Sequence, residues 1–99
     1  MKPAIAIDPD AITDFCRRWN LVELALFGSV LSEDFRPDSD VDVLFDYGPE
    51  ARLGWTALYD MEQELQRLFG RRVDLVSKRG LKKRIRDDVL ATAVVLYAA

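Results

Sequence analysis

Hydrophobic residues recur along the chain with two periods, that of a helix and that of a strand. Asp8 and Pro9 form a helix-start signal, and the apolar residues after them share one helical face: Ile12, Phe15, Cys16 and Trp19. The run LVELALF, Leu21–Phe27, is short, apolar and bounded by Gly28. The pattern predicts a helix over about Pro9–Trp19, then a mostly buried strand, then a short helical turn that opens at Gly28.

Two further strands are predicted after this turn. The turn residues Pro37, Asp38 and Ser39 precede VDVLF, which alternates with the period of a strand. RRVDLVS, residues 71–77, is the third predicted strand. In both segments the valines and leucines alternate with acids, so one face is expected in the core and the other outside it.

Helices are predicted on either side of the third strand. Apolar residues spaced three, four and three positions apart end at Gly70, a helix stop: Leu58, Met61, Leu65 and Leu68. A final helix before the apolar tail AVVLY is marked by a second group: Leu81, Ile85 and Val89. The tail is expected to pack on the sheet or against another chain. We therefore predict an α/β (α+β) fold, with a short mixed β-sheet flanked by helices, as one domain over residues 1–99.

Composition narrows the class of protein. The chain is 49% hydrophobic and 31% charged, with a net charge of −3, which is typical of a globular domain and argues against direct nucleic-acid binding. The basic run KRGLKKRIR, residues 78–86, could contact RNA or phosphates, but a solvated helix face is the preferred interpretation. The absence of a signal sequence and of a long apolar run, together with a single cysteine, predicts a cytoplasmic protein that does not enter the membrane.

The chemistry must come from groups other than histidine, because the chain has none. Asp40 and Asp42 are two residues apart in a predicted strand, so their carboxylates are expected on one face, and Asp74 has the same setting in the third strand. Three carboxylates held together repel one another unless a cation lies between them. Such hard oxygen ligands suit Mg²⁺, or Mn²⁺ in its place.

The acids have two other interpretations. A solvated sheet edge often carries charges that discourage aggregation, and a D-x-D motif alone does not exclude this role. The spacing Asp38-x-Asp40-x-Asp42 also matches the start of a calcium-binding EF-hand loop. That match fails, because the loop requires glycine and glutamate where this chain has Val43 and Pro49.

A phosphate cradle is predicted at Gly28 and Ser29, because glycine lets a backbone amide approach a phosphate and the next turn offers N–H groups and a hydroxyl. Neither a Walker P-loop nor a G-x-G-x-x-G motif occurs. Together with Asp40, Asp42 and Asp74, this pair resembles the signature of the polymerase-β-like nucleotidyltransferase superfamily. The stretches LFGSVLSEDFRPDSDVDVLF and GRRVDLVS more closely resemble the minimal nucleotidyltransferases, the MNT antitoxins encoded beside HEPN toxins.

The resemblance implies a specific set of roles. Asp40, Asp42 and Asp74 would be the metal ligands and catalytic acids, and Gly28 and Ser29 would hold the triphosphate. The expected activity is Mg²⁺-dependent transfer of AMP from ATP to a hydroxyl of a HEPN-type toxin protein, and a tyrosine is the expected acceptor. This modification is expected to neutralise the toxin. Asp74 is the hypothetical base. Leu31 and Glu33 depart from the superfamily pattern, which leaves the nucleotide preference open.

Two alternatives to an enzyme remain at this stage. The domain could inhibit the same partner by contact alone, with its acids inactive or merely ion-binding. A regulatory or RNA-binding domain that uses the basic run is the third hypothesis, and the net negative charge counts against it.

Overall fold

The computed structural model describes residues 7–31, 39–49 and 51–99. In these ranges three α-helices and four β-strands follow one another, with a 3-10 turn after β1 and another after β3. In chain order the elements are α1 (Pro9–Trp19), β1 (Leu21–Phe27), the first 3-10 turn (Gly28–Leu31), β2 (Val41–Tyr47), α2 (Ala57–Phe69), β3 (Val73–Ser77), the second 3-10 turn (Lys78–Gly80), α3 (Lys83–Thr92) and β4 (Val94–Ala98).

The first helix has the ends that its sequence predicts. The Asp8 carboxylate accepts hydrogen bonds from the backbone N–H groups of Asp10 and Ala11, at 3.1 and 3.4 Å, which satisfies two donors that lack partners inside the helix. At the other end Asn20 adopts a left-handed conformation with φ of 56°, and its N–H bonds back to the last turn. The chain then enters β1 at Leu21 without a longer loop.

The four strands form one mixed sheet in the order β3-β2-β1-β4. β1 is antiparallel to both β2 and β4, and β2 is parallel to β3, with α2 as the crossover connection that a parallel pair requires. The predicted α/β (α+β) class and mixed sheet are confirmed. The prediction of three strands was wrong, because the apolar tail forms β4 along the free edge of β1.

Helices α1 and α2 cover one face of the sheet and enclose the core. On this face the predicted inward residues of β2 and β3 are fully or nearly buried: Val41, Val43, Val73 and Leu75. The stripe predicted for α2 is partly wrong, because Leu58 and Leu68 are 46% and 39% exposed. Ala57 joins Met61 and Leu65 on its buried face instead. The face of α2 that packs on the sheet is therefore shifted by about one residue from the predicted face. Helical spacing alone does not show which apolar residues contact the sheet.

The opposite face of the sheet carries the acids and is crossed at one end by the second 3-10 turn. Lys78 Nζ lies 2.6 Å from Glu23 Oε1 on β1, and Arg79 Nε lies 3.1 Å from Asp46 Oδ1 on β2. Arg79 also lies 4.1 Å from the ring centroid of Tyr47. These contacts close the end of this face at which β1 begins and β2 ends. The predicted site acids Asp42 and Asp74 lie toward the other end.

The last helix contributes little to the core. No residue of α3 is buried, and Ile85, which the sequence places on its apolar face, is 44% exposed. The basic residues Lys82, Lys83 and Arg84 at its start are exposed, as expected for a solvated helix face. No helix within the described ranges is both long enough and apolar enough to cross a membrane.

Arg18 joins the two core helices. Its guanidinium forms a double hydrogen bond with the Glu64 carboxylate on α2 and a third bond, 2.8 Å long, with Asp14 on its own helix. The hydrogen bond from Arg18 lowers the pKa of Glu64 below its ordinary value of 4.5. Glu64 therefore stabilises the fold when it is charged.

We expect Glu64→Gln to lower the free energy of unfolding by about 0.5–1.5 kcal/mol at neutral pH, since one side chain of the pair is mostly buried and the other half exposed. The folded pKa of Glu64 lies below its unfolded value, so its contribution is complete above about pH 4.5 and is lost as pH falls through the folded pKa. Urea unfolding at pH 7 and at about pH 3 measures this. An equal deficit at both pH values would contradict the ion-pair explanation, and Asp87→Asn controls for loss of a surface charge.

Candidate active site

Two of the three predicted acids lie directly opposite each other in neighbouring strands. Asp42 of β2 pairs with Asp74 of β3 in the parallel register, and residues paired in this way present their side chains on the same face about 4.8 Å apart. Asp74 is exposed and Asp42 is half-buried. The residues on either side of each acid are buried valines or a leucine, and they turn both carboxylates away from the core, as the alternation predicts.

The glycine of the predicted phosphate cradle lies against the Asp42 carboxylate. Gly28 follows Phe27, which pairs with Asp42 across β1 and β2, and its φ of +74° is one that side chains rarely allow. A Cβ atom at this position would overlap Oδ2 of Asp42 and lie 3.2 Å from its Cγ. The position therefore requires glycine on two counts, the backbone conformation and the closeness of the carboxylate.

Asp40 lies one residue before β2 rather than inside it, which differs from the predicted strand. The backbone N–H of Val41 donates to the carbonyl of Arg72 at 2.9 Å, and this bond aligns the two segments that lead into β2 and β3. Arg72 Nε then lies 3.1 Å from Asp40 Oδ1. Asp40 thus lies at the same end of the sheet as the other two acids, with its carboxylate paired to a guanidinium.

The carboxylates act on one another electrostatically. Burial raises the pKa of Asp42, and the charges of Asp74 and Asp40 raise it further. Among the described residues, no three acidic or other ligand side chains are drawn together tightly enough to form a ready-made metal site. The site instead combines an adjacent pair, Asp42 and Asp74, with a third acid held by Arg72.

The remaining predicted residues are placed as follows. Ser29 follows Gly28 in the first 3-10 turn, and its side chain lies outside what the structure describes. Leu31 ends this turn, whereas Glu33 and Asp38 lie outside the described residues. Asp46 shares the strand face of Asp42 but is paired with Arg79 at the closed end of the sheet. Asp46 is therefore part of the ion pairs that hold the second turn.

Sequence analysis missed two residues beside the acids. Glu62 on α2 accepts a hydrogen bond, 3.0 Å long, from the backbone N–H of Leu75, so its carboxylate satisfies the outer edge of the strand that carries Asp74. The sequence pattern places Arg72 in the third strand, whereas in the structure it lies one residue before β3 and pairs with Asp40. The signal for Arg72 is its position two residues before Asp74, but the pairing register is needed to identify its partner.

The sequence matches a known protein family. Residues 10–96 match the family described as "Nucleotidyltransferase domain". The chain belongs to this family. The match includes the two strands that carry the acids, the first 3-10 turn and the crossover helix, so the nucleotidyltransferase domain extends over nearly all of the described fold.

Individual proteins similar to this nucleotidyltransferase domain support the same assignment. Protein adenylyltransferase MntA of Thermococcus cleftensis is 38% identical over 77 residues, which cover 78% of this chain and 76% of the relative. A solved structure provisionally described as a minimal nucleotidyltransferase is 36% identical, covers 87% of this chain and 86% of the other, and superposes with a TM-score of 0.71. A third is tri-AMPylated Shewanella oneidensis HEPN toxin in complex with MNT antitoxin, with a matched chain that is 22% identical at a TM-score of 0.64.

That third match covers 92% of this chain and 70% of the other, and at its level of identity it shows the fold alone. The first two relatives carry the family assignment at the level of sequence. The resemblance stated from the motifs is therefore confirmed for the family, while the role of each site residue stays a prediction.

We expect Gly28→Ala to lower the free energy of unfolding by about 2–4 kcal/mol. The left-handed backbone at this position disfavours any Cβ, and the added methyl group would also overlap the Asp42 carboxylate. Gly70→Ala is a matched control. Gly70 has a similar φ of +68°, and a Cβ there would meet nothing within 4 Å, so only the backbone cost of about 1 kcal/mol should appear. Denaturant unfolding compares the two, and equal losses would show that the carboxylate contact is unimportant.

Asp42→Asn should stabilise the domain in metal-free buffer. The pKa of Asp42 is raised by burial and by two neighbouring acids, so its charged form is disfavoured in the fold, and removing the charge relieves that cost. We expect the Tm at neutral pH to rise by about 2–5 °C in calorimetry. Asp87→Asn, which removes an exposed charge from α3, should leave it nearly unchanged. A lower Tm for Asp42→Asn would contradict the predicted repulsion.

Proposed function

We propose that this domain transfers AMP from ATP to a hydroxyl of a HEPN-type toxin protein and thereby neutralises it. The observation that carries the proposal is the in-register pair Asp42 and Asp74, with the backbone of Gly28 against the Asp42 carboxylate. Family membership supports nucleotidyl transfer, and the adenylyltransferase relative supports AMP as the transferred group. The HEPN toxin of the solved complex is tri-AMPylated and bound to an MNT antitoxin, which supports the partner class.

The acids of the site fit a divalent cation. Burial raises the pKa of Asp42, and the charges of Asp74 and Asp40 raise it further, so negative charge is in excess there; oxygen ligands of this kind suit Mg²⁺ or Mn²⁺. Asp40, Asp42 and Asp74 would hold the metal, which supplies positive charge to stabilise the charge that develops on the phosphates. The backbone at Gly28 and Ser29 would bind the triphosphate through its N–H groups.

The reaction exchanges one phosphorus–oxygen bond for another. The acceptor oxygen forms a bond to the α-phosphorus of ATP, the bond from that phosphorus to the bridging oxygen breaks, and pyrophosphate leaves with the electron pair. The acceptor hydroxyl must lose its proton, and the chain has no histidine to take it. Asp74 is exposed at the end of the sheet and is assigned this role, with a carboxylate oxygen receiving the proton.

A tyrosine is the expected acceptor. A phenol is the most acidic of the hydroxyl side chains, so a carboxylate base needs less help to deprotonate it than it would for serine or threonine. The organisation as one domain over residues 1–99 and a cytoplasmic location stay predictions from the sequence.

The test is to incubate the purified protein and its candidate HEPN partner with Mg²⁺ and labelled ATP, and to measure the intact mass of both chains. We expect the partner to gain one or more AMP groups with the wild type, and at least about 100-fold more slowly with the double variant Asp40→Asn, Asp42→Asn. The double variant Asp87→Asn, Asp88→Asn removes the same charge from exposed positions on α3 and should retain activity.

Two results would overturn the proposal in different ways. A stable complex with no mass shift, and toxin neutralisation that survives the Asp40 and Asp42 substitutions in cells, would establish the contact inhibitor instead. Mass shifts that persist in the double variant would show that catalysis does not depend on this pair of acids.

A further inference from the structure

We propose that Arg72 serves this site as an exchangeable counter-cation, which pairs with Asp40 when no metal is bound and turns to the phosphates of the nucleotide when a divalent cation occupies Asp40. The inference rests on the proposed function, because it concerns the same acids. It assigns a role to a residue that neither the family match nor the acidic motif explains.

The geometry brings Arg72 to Asp40 by two independent contacts. The backbone bond from Val41 to the carbonyl of Arg72 is 2.9 Å long and fixes the two segments side by side, one step before the first paired residues of β2 and β3. The side chains then meet with Nε and Oδ1 3.1 Å apart. The backbone bond uses only the carbonyl oxygen of Arg72, so the strand register does not depend on which group the guanidinium contacts.

The electrostatics favour exchange over a permanent ion pair. Asp40, Asp42 and Asp74 concentrate three negative charges at one end of the sheet, and a guanidinium beside them offsets part of that charge. A divalent cation on the same carboxylates would do so more strongly and would repel Arg72. The side chains of Arg72 and Asp40 are 75% and 51% exposed, so this ion pair contributes little to stability.

The displaced guanidinium has a ready ligand in the nucleotide. Arg72 lies one residue before β3 and beside Asp40, so its side chain starts at the same end of the sheet as the acids and Gly28. A planar guanidinium binds phosphate oxygens through two parallel hydrogen bonds, which an ammonium group cannot reproduce. The class of ligand is therefore the phosphate chain of a metal-bound nucleoside triphosphate.

The experiment compares Arg72→Gln with the wild type in two measurements that should change in opposite directions. The first is binding of Mn²⁺ alone to the nucleotide-free protein, followed by electron paramagnetic resonance. We expect Arg72→Gln to bind Mn²⁺ about two- to fivefold more tightly, because a competing charge is removed. The second is the KM for ATP in the transfer assay, which should rise by about three- to tenfold with a smaller change in kcat.

Two further variants separate charge from structure. Arg72→Lys keeps the positive charge, so its Mn²⁺ affinity should stay close to that of the wild type, while its KM for ATP should remain raised because the fork of donors is lost. Arg84→Gln removes an equal charge from the exposed start of α3 and should change neither measurement.

The outcomes distinguish this inference from the proposed function. Mn²⁺ affinity that is unchanged or weaker in Arg72→Gln would overturn the competition for Asp40, while leaving the proposed function intact. An unchanged KM for ATP would overturn the phosphate contact. Failure of the wild type to bind Mn²⁺ any better than Asp40→Asn, Asp42→Asn would overturn the metal site itself, and with it both proposals.

Discussion

The parallel pairing of β2 with β3 is the constraint on which the candidate site depends. It sets Asp42 opposite Asp74 and, two residues earlier in each segment, brings Asp40 beside Arg72. A shift of the register by one residue would separate these groups and turn the acids toward the core. The burial of Val41 and Val43 on the other face resists such a shift, since both side chains would have to leave the core. The hydrophobic core thus fixes the position of the charges.

The same arrangement makes the site an unfavourable part of an otherwise well-packed domain. Like charges are adjacent, Asp42 is partly desolvated, and Gly28 holds a backbone conformation available to few residues. The core formed by α1, α2 and the sheet must offset these costs. Local strain and repulsion at a site supported by a regular core are a common consequence of selection for function over stability. They also explain why a cation would stabilise the fold as well as serve the chemistry.

Local sequence patterns were sufficient to predict the elements whose ends are specified by nearby residues. The bounds of α1 follow from Asp8, Pro9 and the left-handed Asn20, and β1 follows from an apolar run that ends at Gly28. β4 was not predicted, because α3 passes into it at Ala93 with no glycine or proline to mark the change. Its strand conformation depends on hydrogen bonds to β1, a segment about 70 residues earlier in the chain, and helical and extended apolar runs of this length look alike.

The contacts around the acids show the same limit at the level of side chains. The alternation of acid and valine was enough to place Asp42 and Asp74 on one face, because side chains in a strand alternate whatever the partner strand is. The hydrogen bond from Leu75 to Glu62 and the ion pair of Arg72 with Asp40 join separate segments, so they follow from the register and the packing of α2. The ion pairs of Lys78 and Arg79 at the opposite end likewise cannot be predicted without knowing the path of the chain after β3. Within the described residues, ion pairs therefore close one end of this face and the acids lie at the other end, where the proposed nucleotide would bind.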